Sequence, residues 1–430
     1  MIVAQSPPCS KPKPALAAMT PDLFGLIFIA ALLLSFGLRL WLTQRQMVHI
    51  ERHRHAVPAA FSSKVSLSAH QHAADYNSAR QRLTWLQLPV ELAGLLFLTL
   101  GGGLQWLAQI DFTNGPLISG AVLLLAVMAF AAALELPFDW WRTFHIEARF
   151  GFNRQTLGGW LKDLVQQTAL GLLLGLPLLL VILWLMQQAG EAWWLLAWLV
   201  WSGFNLLLLA IYPTWIAPRF NRFTPLEDGT LKTAVEGLLD RCGEKVSGIF
   251  VMDGSKRSSH GNAYFAGLGA SRRVVFYDTL LKQLNPDEAT AVLAHELGHH
   301  HHRHIQKRLI TLFALSFVLL ALLAWMKDAP WFYAALNAGA GSDAKALALF
   351  MLILPVFSLP LTPLFFGLSR RHEFQADAFA KAHTSGEHLA SALVNLYNEN
   401  AATLTPDPIY SLFHDSHPQP AERIARLQTH

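Results

Sequence analysis

Residues 166–213 read QQTALGLLLGLPLLLVILWLMQQAGEAWWLLAWLVWSGFNLLLLAIYP. A helix crosses the hydrocarbon core of a bilayer in about 20 apolar residues. This stretch holds two such lengths, 166–187 and 193–213, separated by the short loop 188–192. Five further stretches of the same kind lie near 21–43, 86–109, 117–137, 308–326 and 346–368. The second and third spans are interrupted by Gly101-Gly102-Gly103 and Pro116; membrane helices tolerate such breaks where neighbouring helices satisfy the backbone. The first span has too long an apolar run for a signal peptide, and no small-residue cleavage site follows Leu42. It reads as an uncleaved anchor. Composition agrees with a membrane protein. Of 430 residues, 53% are hydrophobic and 14% charged, against roughly 25% charged in an average globular chain, and the mean hydropathy is +0.32. Disorder, collagen and a coiled coil are excluded, since each needs more charge or a simple repeat. Cys9 and Cys242 cannot build a disulfide framework and have no metal-binding spacing.

Loop charges predict the orientation. The loop 44–85 carries Arg45, Arg52, Arg54, Lys64, Arg80 and Arg82, and the loop 138–165 carries Arg142, Arg149, Arg154 and Lys162. The loops 110–116 and 188–192 carry no Lys or Arg, and 327–345 has only Lys327 and Lys345. The rich loops are therefore expected in the cytoplasm, with the N-terminus outside and the C-terminus inside. Lys11 and Lys13 on the outer tail count mildly against this. Trp140, Trp141, Trp193 and Trp194 sit at span ends, as an interfacial aromatic belt would. The net charge of +4 then reflects cytoplasmic loops, and no nucleic-acid partner is expected.

The chain divides into a tail 1–20, a five-span region 21–213, a polar segment 214–307, two spans over 308–368, and a second polar segment 369–430. Pro213 and Pro218 end the fifth span. A helix over Thr230–Arg241 follows, then three β-like runs, Gly248–Met252, Asn262–Gly267 and Arg272–Asp278, bounded by Gly, Ser and Lys. Asn285-Pro286-Asp287-Glu288 reads as a helix start: Asn285 caps, Pro286 takes the first helical position and Glu288 completes a capping box. That helix is expected to run through the histidines towards the sixth span. In the last segment, helices are expected over Arg370 to about His383, about His388–Asn398 and 420–428.

His295-Glu296-Leu297-Gly298-His299 is an HExxH motif on that helix. Helical spacing of four puts both imidazoles on one face, able to hold one zinc, and Glu296 is placed to take a proton from water at the metal. A chance match in this composition is about 3%. A catalytic zinc needs a third protein ligand and an open position. Glu373 and Asp377 lie on one helical face at i and i+4. Glu373 as ligand, with Asp377 accepting from the far nitrogen of a ligand imidazole, meets the need to orient metal-bound histidine. Both elements fall on the predicted cytoplasmic side. His300, His301, His302 and His304 point to other faces of a continuous helix, so they read as solvated or interfacial; His260 and His372 read as structural.

At these residues the sequence resembles the integral-membrane zinc proteases of the CAAX prenyl protease 1 type. Further blocks carry the resemblance: Phe144-His-Ile-Glu-Ala-Arg-Phe-Gly-Phe-Asn-Arg-Gln-Thr156, Pro213-Thr-Trp-Ile-Ala-Pro-Arg-Phe-Asn-Arg-Phe-Thr-Pro-Leu226, Ser258-Ser-His-Gly-Asn-Ala-Tyr-Phe265, Ser369-Arg-Arg-His-Glu-Phe-Gln-Ala-Asp377 and Ser416-His-Pro-Gln-Pro-Ala-Glu-Arg423. They run in order over about 144–423. The first 20 residues match no such block, and 55–80 follows the family loosely. The resemblance implies a mainly α, polytopic fold: seven transmembrane helices enclosing a water-filled chamber, with a small α+β zinc-protease domain on the cytoplasmic side. It implies one Zn2+ per chain on His295, His299 and Glu373, and Glu296 as catalytic base. Asn262 would clamp substrate backbone, His417 would stabilise the oxyanion and Arg423 would support that corner of the site. The activity implied is endoproteolysis near the C-terminus of prenylated or other membrane-associated peptides. Peptide substrate and membrane lipids are then the partners, and a monomer is expected. Prenylated targets are a eukaryotic habit. For a bacterial source, with the protein in the inner membrane and its site facing the cytoplasm, misfolded or amphipathic membrane peptides are expected instead.

Two other classes are weighed against this. A transporter or channel needs ionisable groups inside the spans, and only Glu91 and Glu135, near span ends, stand out. A zinc-binding scaffold without turnover would not need Glu296.

Overall fold

The computed structural model describes residues 19–109, 115–267 and 272–429. Most of the tail, with Cys9, Lys11 and Lys13, and most of the loop 110–116 lie outside the described residues. Polar caps open the long helices. Thr20, Ser66 and Thr156 accept backbone N–H groups at the starts of α1 (Pro21–His53), α2 (Leu67–Leu98) and, after α3 (Pro116–Trp141), α4 (Leu157–Gln188). Trp193–Ile211 forms α5. The polar segment supplies α6 (Thr230–Cys242) and α7 (Pro286–His301), and α8 (His304–Met326) returns to the membrane. Asp343–Ser358 is α9, and a tight turn at Leu359–Leu361 joins it to α10 (Thr362–His383). The chain closes with α11 (Gly386–Glu399) and α12 (Pro420–Gln428).

Among the described residues, six helical stretches are long and apolar enough to cross a membrane: Pro21–His53, Pro116–Glu147, Leu157–Gln188, Gly190–Phe220, His304–Met326 and Asp343–His383. The expected span 86–109 has a different form. The apolar end of α2 stops at Leu98. The chain then turns through Gly102, whose φ of 74° suits glycine, and restarts as a short helix over Gly103–Ala108. The seventh expected span is likewise bent at Leu359–Leu361, where Pro360 and Pro363 interrupt the ladder.

Large apolar side chains such as Leu34, Leu173, Leu207, Ile310 and Val318 are exposed along these helices, a pattern suited to lipid rather than water. Burial is concentrated at two ends. One core gathers Phe28, Leu104, Leu183, Phe332 and Leu349 at one end of the bundle. The other joins Phe276, Leu238, Leu293, Leu393 and Ile424 around the sheet. Between them, α8 buries no side chain from Ile305 to Leu322, in keeping with a lipid-facing helix.

The sheet has four strands, β1 (Phe223–Pro225), β2 (Gly248–Met252), β3 (Ala263–Ala266) and β4 (Arg273–Tyr277), in the order β1-β2-β4-β3. Three of these match the expected runs; β1 adds a strand too short to show alternation. β2 and β4 are parallel, while β3 pairs antiparallel with β4, Ala263 opposite Phe276. Among the described residues, β3 therefore pairs along one edge only. Two ion pairs tie the polar segments to the basic loops: Arg45 Nε to Asp407 Oδ1 at 2.9 Å, and Arg257 bidentate on Asp163 at 2.7 and 3.0 Å. Both polar segments and both basic loops thus share one end of the molecule.

Candidate metal centre

The site stands on α7 and α10. The α7 start is fixed by a reciprocal cap: Asn285 Oδ1 accepts from Glu288 N at 2.9 Å, and Glu288 Oε2 accepts from Asn285 N at 3.1 Å. Glu288 Oε1 also accepts from the Asn395 side chain of α11 at 3.0 Å, which ties this end of α7 to the domain core. Farther along, Gly298 lets α10 approach closely: a Cβ there would lie 2.8 Å from Ala376 Cα.

That approach brings the candidate donors together. His295 Nε2 and His299 Nε2 are 3.2 Å apart. Glu373 Oε1 lies 3.3 Å from His299 Nε2, and Glu373 Oε2 lies 3.4 Å from His295 Nε2. One ligand atom from each of the three residues falls within 4.8 Å of the others. Glu373 is buried, and its Oε2 accepts no hydrogen bond, although His417 Nε2 and Arg423 Nη1 stand 3.6 and 3.8 Å away. A buried carboxylate oxygen with no hydrogen bond, set against imidazole nitrogens, is a group that a bound cation would satisfy. Two His and one Glu form a donor set that zinc accepts in open, catalytic sites. The residues present therefore fit a metal.

The surroundings orient these donors. Asp377 Oδ1 lies 2.8 Å from His295 Nδ1, which leaves Nε2 for the centre of the site. Asp377 is held by Arg423, whose Nε and Nη2 donate at 2.9 and 2.6 Å. Asp377 and Arg423 are both buried. Burial works against a charged His295, but the carboxylates of Asp377 and Glu373 beside it win, and its pKa is pushed up to about 9. Burial also raises the Glu296 carboxyl above its ordinary range, against the pull of His295 and His299. His417 leaves 63% of its side chain open, above Glu373. Asn262 precedes β3 and is exposed; its carbonyl accepts from Tyr277 N at 2.9 Å. A cavity of about 550 Å3 opens beside it, lined in part by Asn221, Arg257, Ser258, His260 and Tyr277.

One residue departs from its sequence reading. His304 is neither solvated nor interfacial; it is buried, with Nδ1 2.9 Å from His299 Nδ1. The helix ends at His301 instead of running on, and Arg303 turns left-handed. No local signal in the histidine run marks that break. His300 is held apart, between Arg272 and Glu244.

Comparison with known proteins accords with this layout. Residues 46–222 match the model of the CAAX prenyl protease N-terminal domain, described as five membrane helices, and residues 225–430 match peptidase family M48. A CAAX prenyl protease 1 homolog of Arabidopsis thaliana is 38% identical over 71% of this chain and 72% of its own length. That of Homo sapiens is 32% identical over 94% and 95%. The crystal structure of S. mikatae Ste24p superposes with a TM-score of 0.88, at 29% identity, covering 94% of this chain and 99% of that one. These relatives are eukaryotic and lend no support to a bacterial source. With two matched models in tandem and a relative spanned almost end to end, the chain belongs to the CAAX prenyl protease 1 family of membrane-embedded metallopeptidases.

Proposed function

We propose that this protein is a zinc endopeptidase that cuts near the C-terminus of prenylated or other membrane-associated peptides, with its site facing the cytoplasm. The observation that carries the reading is the convergence of His295, His299 and Glu373 beside Glu296. The three would hold one zinc. When bound, zinc supplies Lewis acidity, which makes water acidic near neutral pH and polarises a carbonyl.

The chain's own residues do the rest. Glu296 takes a proton from the attacking water and returns it to the leaving amine; its raised pKa suits both transfers. His417, open to the site, donates where charge develops on the scissile carbonyl oxygen. Substrate backbone adds to the other edge of β3, a general peptide-binding mode, and Asn262 holds it at the entrance. Asp377 keeps His295 in the tautomer whose Nε2 is free, and Arg423 holds Asp377. The relatives' names support the substrate class, and the shared end of basic loops and polar segments supports the orientation.

The test is mass spectrometry of products from the detergent-solubilised protein, given farnesylated and unmodified C-terminal peptides, with a chelator control. Chelator-sensitive cleavage near the C-terminus is expected. Cleavage that survives full metal removal overturns the mechanism. Cleavage of both peptides with equal kcat/KM overturns a role for the prenyl group.

A further inference from the structure

We infer that His304 and Gln375 form a relay that fixes the tautomer of His299, making His304 a positioning residue for the metal centre. The inference rests on the metal-site reading above and asks what holds the second imidazole. His295 has a carboxylate behind it, Asp377. His299 has none; behind it stands His304, Nδ1 to Nδ1 at 2.9 Å. On its other side, His304 Nε2 lies 2.9 Å from Gln375 Oε1.

These contacts set the protons in one direction. With Gln375 oriented Oε1 towards the ring, His304 Nε2 carries the hydrogen that it donates to that oxygen. A neutral His304 then has a bare Nδ1, which accepts. His299 Nδ1 must donate to it, and His299 Nε2 is left with its lone pair towards His295 Nε2 and Glu373 Oε1. A neutral imidazole binds metal through the nitrogen that lacks hydrogen. The relay thus gives His299 the orientation that Asp377 gives His295, without adding a charge.

The contact depends on a bend in the backbone. On an uninterrupted helix, five residues turn by about 500°, so residues 299 and 304 would point about 140° apart. Instead α7 ends at His301, Arg303 takes the left-handed φ of 54° and ψ of 39°, and α8 starts at His304 with its ring folded back. A left-handed arginine is unfavourable for an L-residue, and such backbone persists where the surroundings enforce it. Here the ring stacks on His372 at 4.0 Å and 16° and is almost wholly buried. His372 and Gln375 both belong to α10, the helix that carries Glu373. The relay therefore links the helix of one candidate ligand to the helix of another.

The experiment measures zinc dissociation constants of the full-length protein in detergent, by competition with a chromophoric chelator. Gln375→Leu removes the acceptor, Gln375→Glu keeps one, and His304→Ala removes the middle of the relay. Zinc binding weakened about 10- to 100-fold is expected for His304→Ala and in the same direction for Gln375→Leu, as for other groups that orient metal-bound histidine. Gln375→Glu is expected within about threefold of the wild type, and His304→Ala with Gln375→Leu no weaker than His304→Ala alone, since Gln375 acts through His304. Wild-type affinity in His304→Ala overturns the relay. So does equal loss in Gln375→Leu and Gln375→Glu, which would mean packing alone. If His304→Ala does not fold, the two Gln375 variants decide. A wild-type protein that binds no zinc overturns the metal-site reading itself.

Discussion

Gly298→Ala tests how tightly the two helices that carry the candidate ligands must approach. An added Cβ would meet Ala376 Cα at 2.8 Å, Phe379 Cβ at 3.0 Å and Ala376 O at 3.1 Å. Carbon atoms rest at about 3.5–4.0 Å, so α10 must move away from α7 by about 0.7–1.2 Å. The first obstacle is backbone, so no side-chain rotation relieves it. Overpacking of this kind costs about 1–3 kcal/mol. Alanine in a helix interior recovers about 1 kcal/mol relative to glycine. The metal-free fold should therefore lose only about 0–2 kcal/mol. The metal centre has no such compensation, because ligand distances must hold to about 0.2 Å and Glu373 rides on the displaced helix. If binding zinc requires the helices to close again against the methyl group, the full strain opposes it. At about 1.4 kcal/mol per decade, affinity falls about 5- to 150-fold. The assay pairs chelator competition with thermal melts in the presence and absence of zinc. A metal-free midpoint close to wild type with a reduced zinc-dependent rise is expected. Wild-type zinc affinity in a folded Gly298→Ala protein would refute the close-approach argument.

Further outcomes follow from the same geometry. Glu373→Ala should cost orders of magnitude in zinc affinity, checked by metal content after dialysis; undiminished content would put the third ligand elsewhere, Asp377 first. Glu296→Gln should retain zinc and lose peptide hydrolysis by roughly a hundredfold or more, since the amide cannot take the proton; wild-type turnover in that variant would remove Glu296 from the mechanism. In metal-free protein, His295 has its pKa raised to about 9. The stability it contributes is full below its ordinary pKa of about 6.5 and declines as pH rises through about 9. Thermal midpoints with chelator should fall across that window and stay flatter with zinc bound; a flat metal-free profile would contradict the paired state of His295. A reporter fused after His430 should be cytoplasmic, by the ten Lys and Arg of loops 44–85 and 138–165; a reporter on the far side would reverse the assigned orientation.

The spans and the HExxH helix were legible in the sequence because each rests on a local rule. Apolar length marks a crossing helix, and Asn285 to Glu288 spells a cap that the structure contains. The pairing of Glu373 with His295 and His299 is a tertiary contact across about 75 residues, and it was reached through the i, i+4 carboxylates and the family blocks. What escaped were features set by backbone breaks. The chain around Leu98–Gly103 is apolar throughout, so hydropathy merges what the turn at Gly102 divides. The histidine run likewise hides where α7 ends. Nothing in His300-His301-His302-Arg303 distinguishes a continuous helix from one that reverses at Arg303, because the reversal is stabilised by His372 and Gln375, some 70 residues away. β1 was too short to show a period, and only its pairing with β2 defines it.

The joint at Arg303 also brings a membrane-crossing helix up to the candidate site. α8 has 23 residues, but its apolar run after Lys307 and Arg308, Leu309–Met326, makes about 27 Å of helix against a hydrocarbon thickness of about 30 Å. A stretch slightly shorter than the core is met by local thinning and by flanking charges that reach for the interface, here Lys307 and Arg308. The first residue of α8, His304, is in contact with His299, so the N-terminal end of the helix meets the candidate site while the rest of it lies among apolar surroundings. Only His302 and Arg303 lie between α7 and α8 to absorb a change of angle. The joint thus sets a membrane-crossing helix directly against the candidate metal centre, through the single contact of His304 with His299.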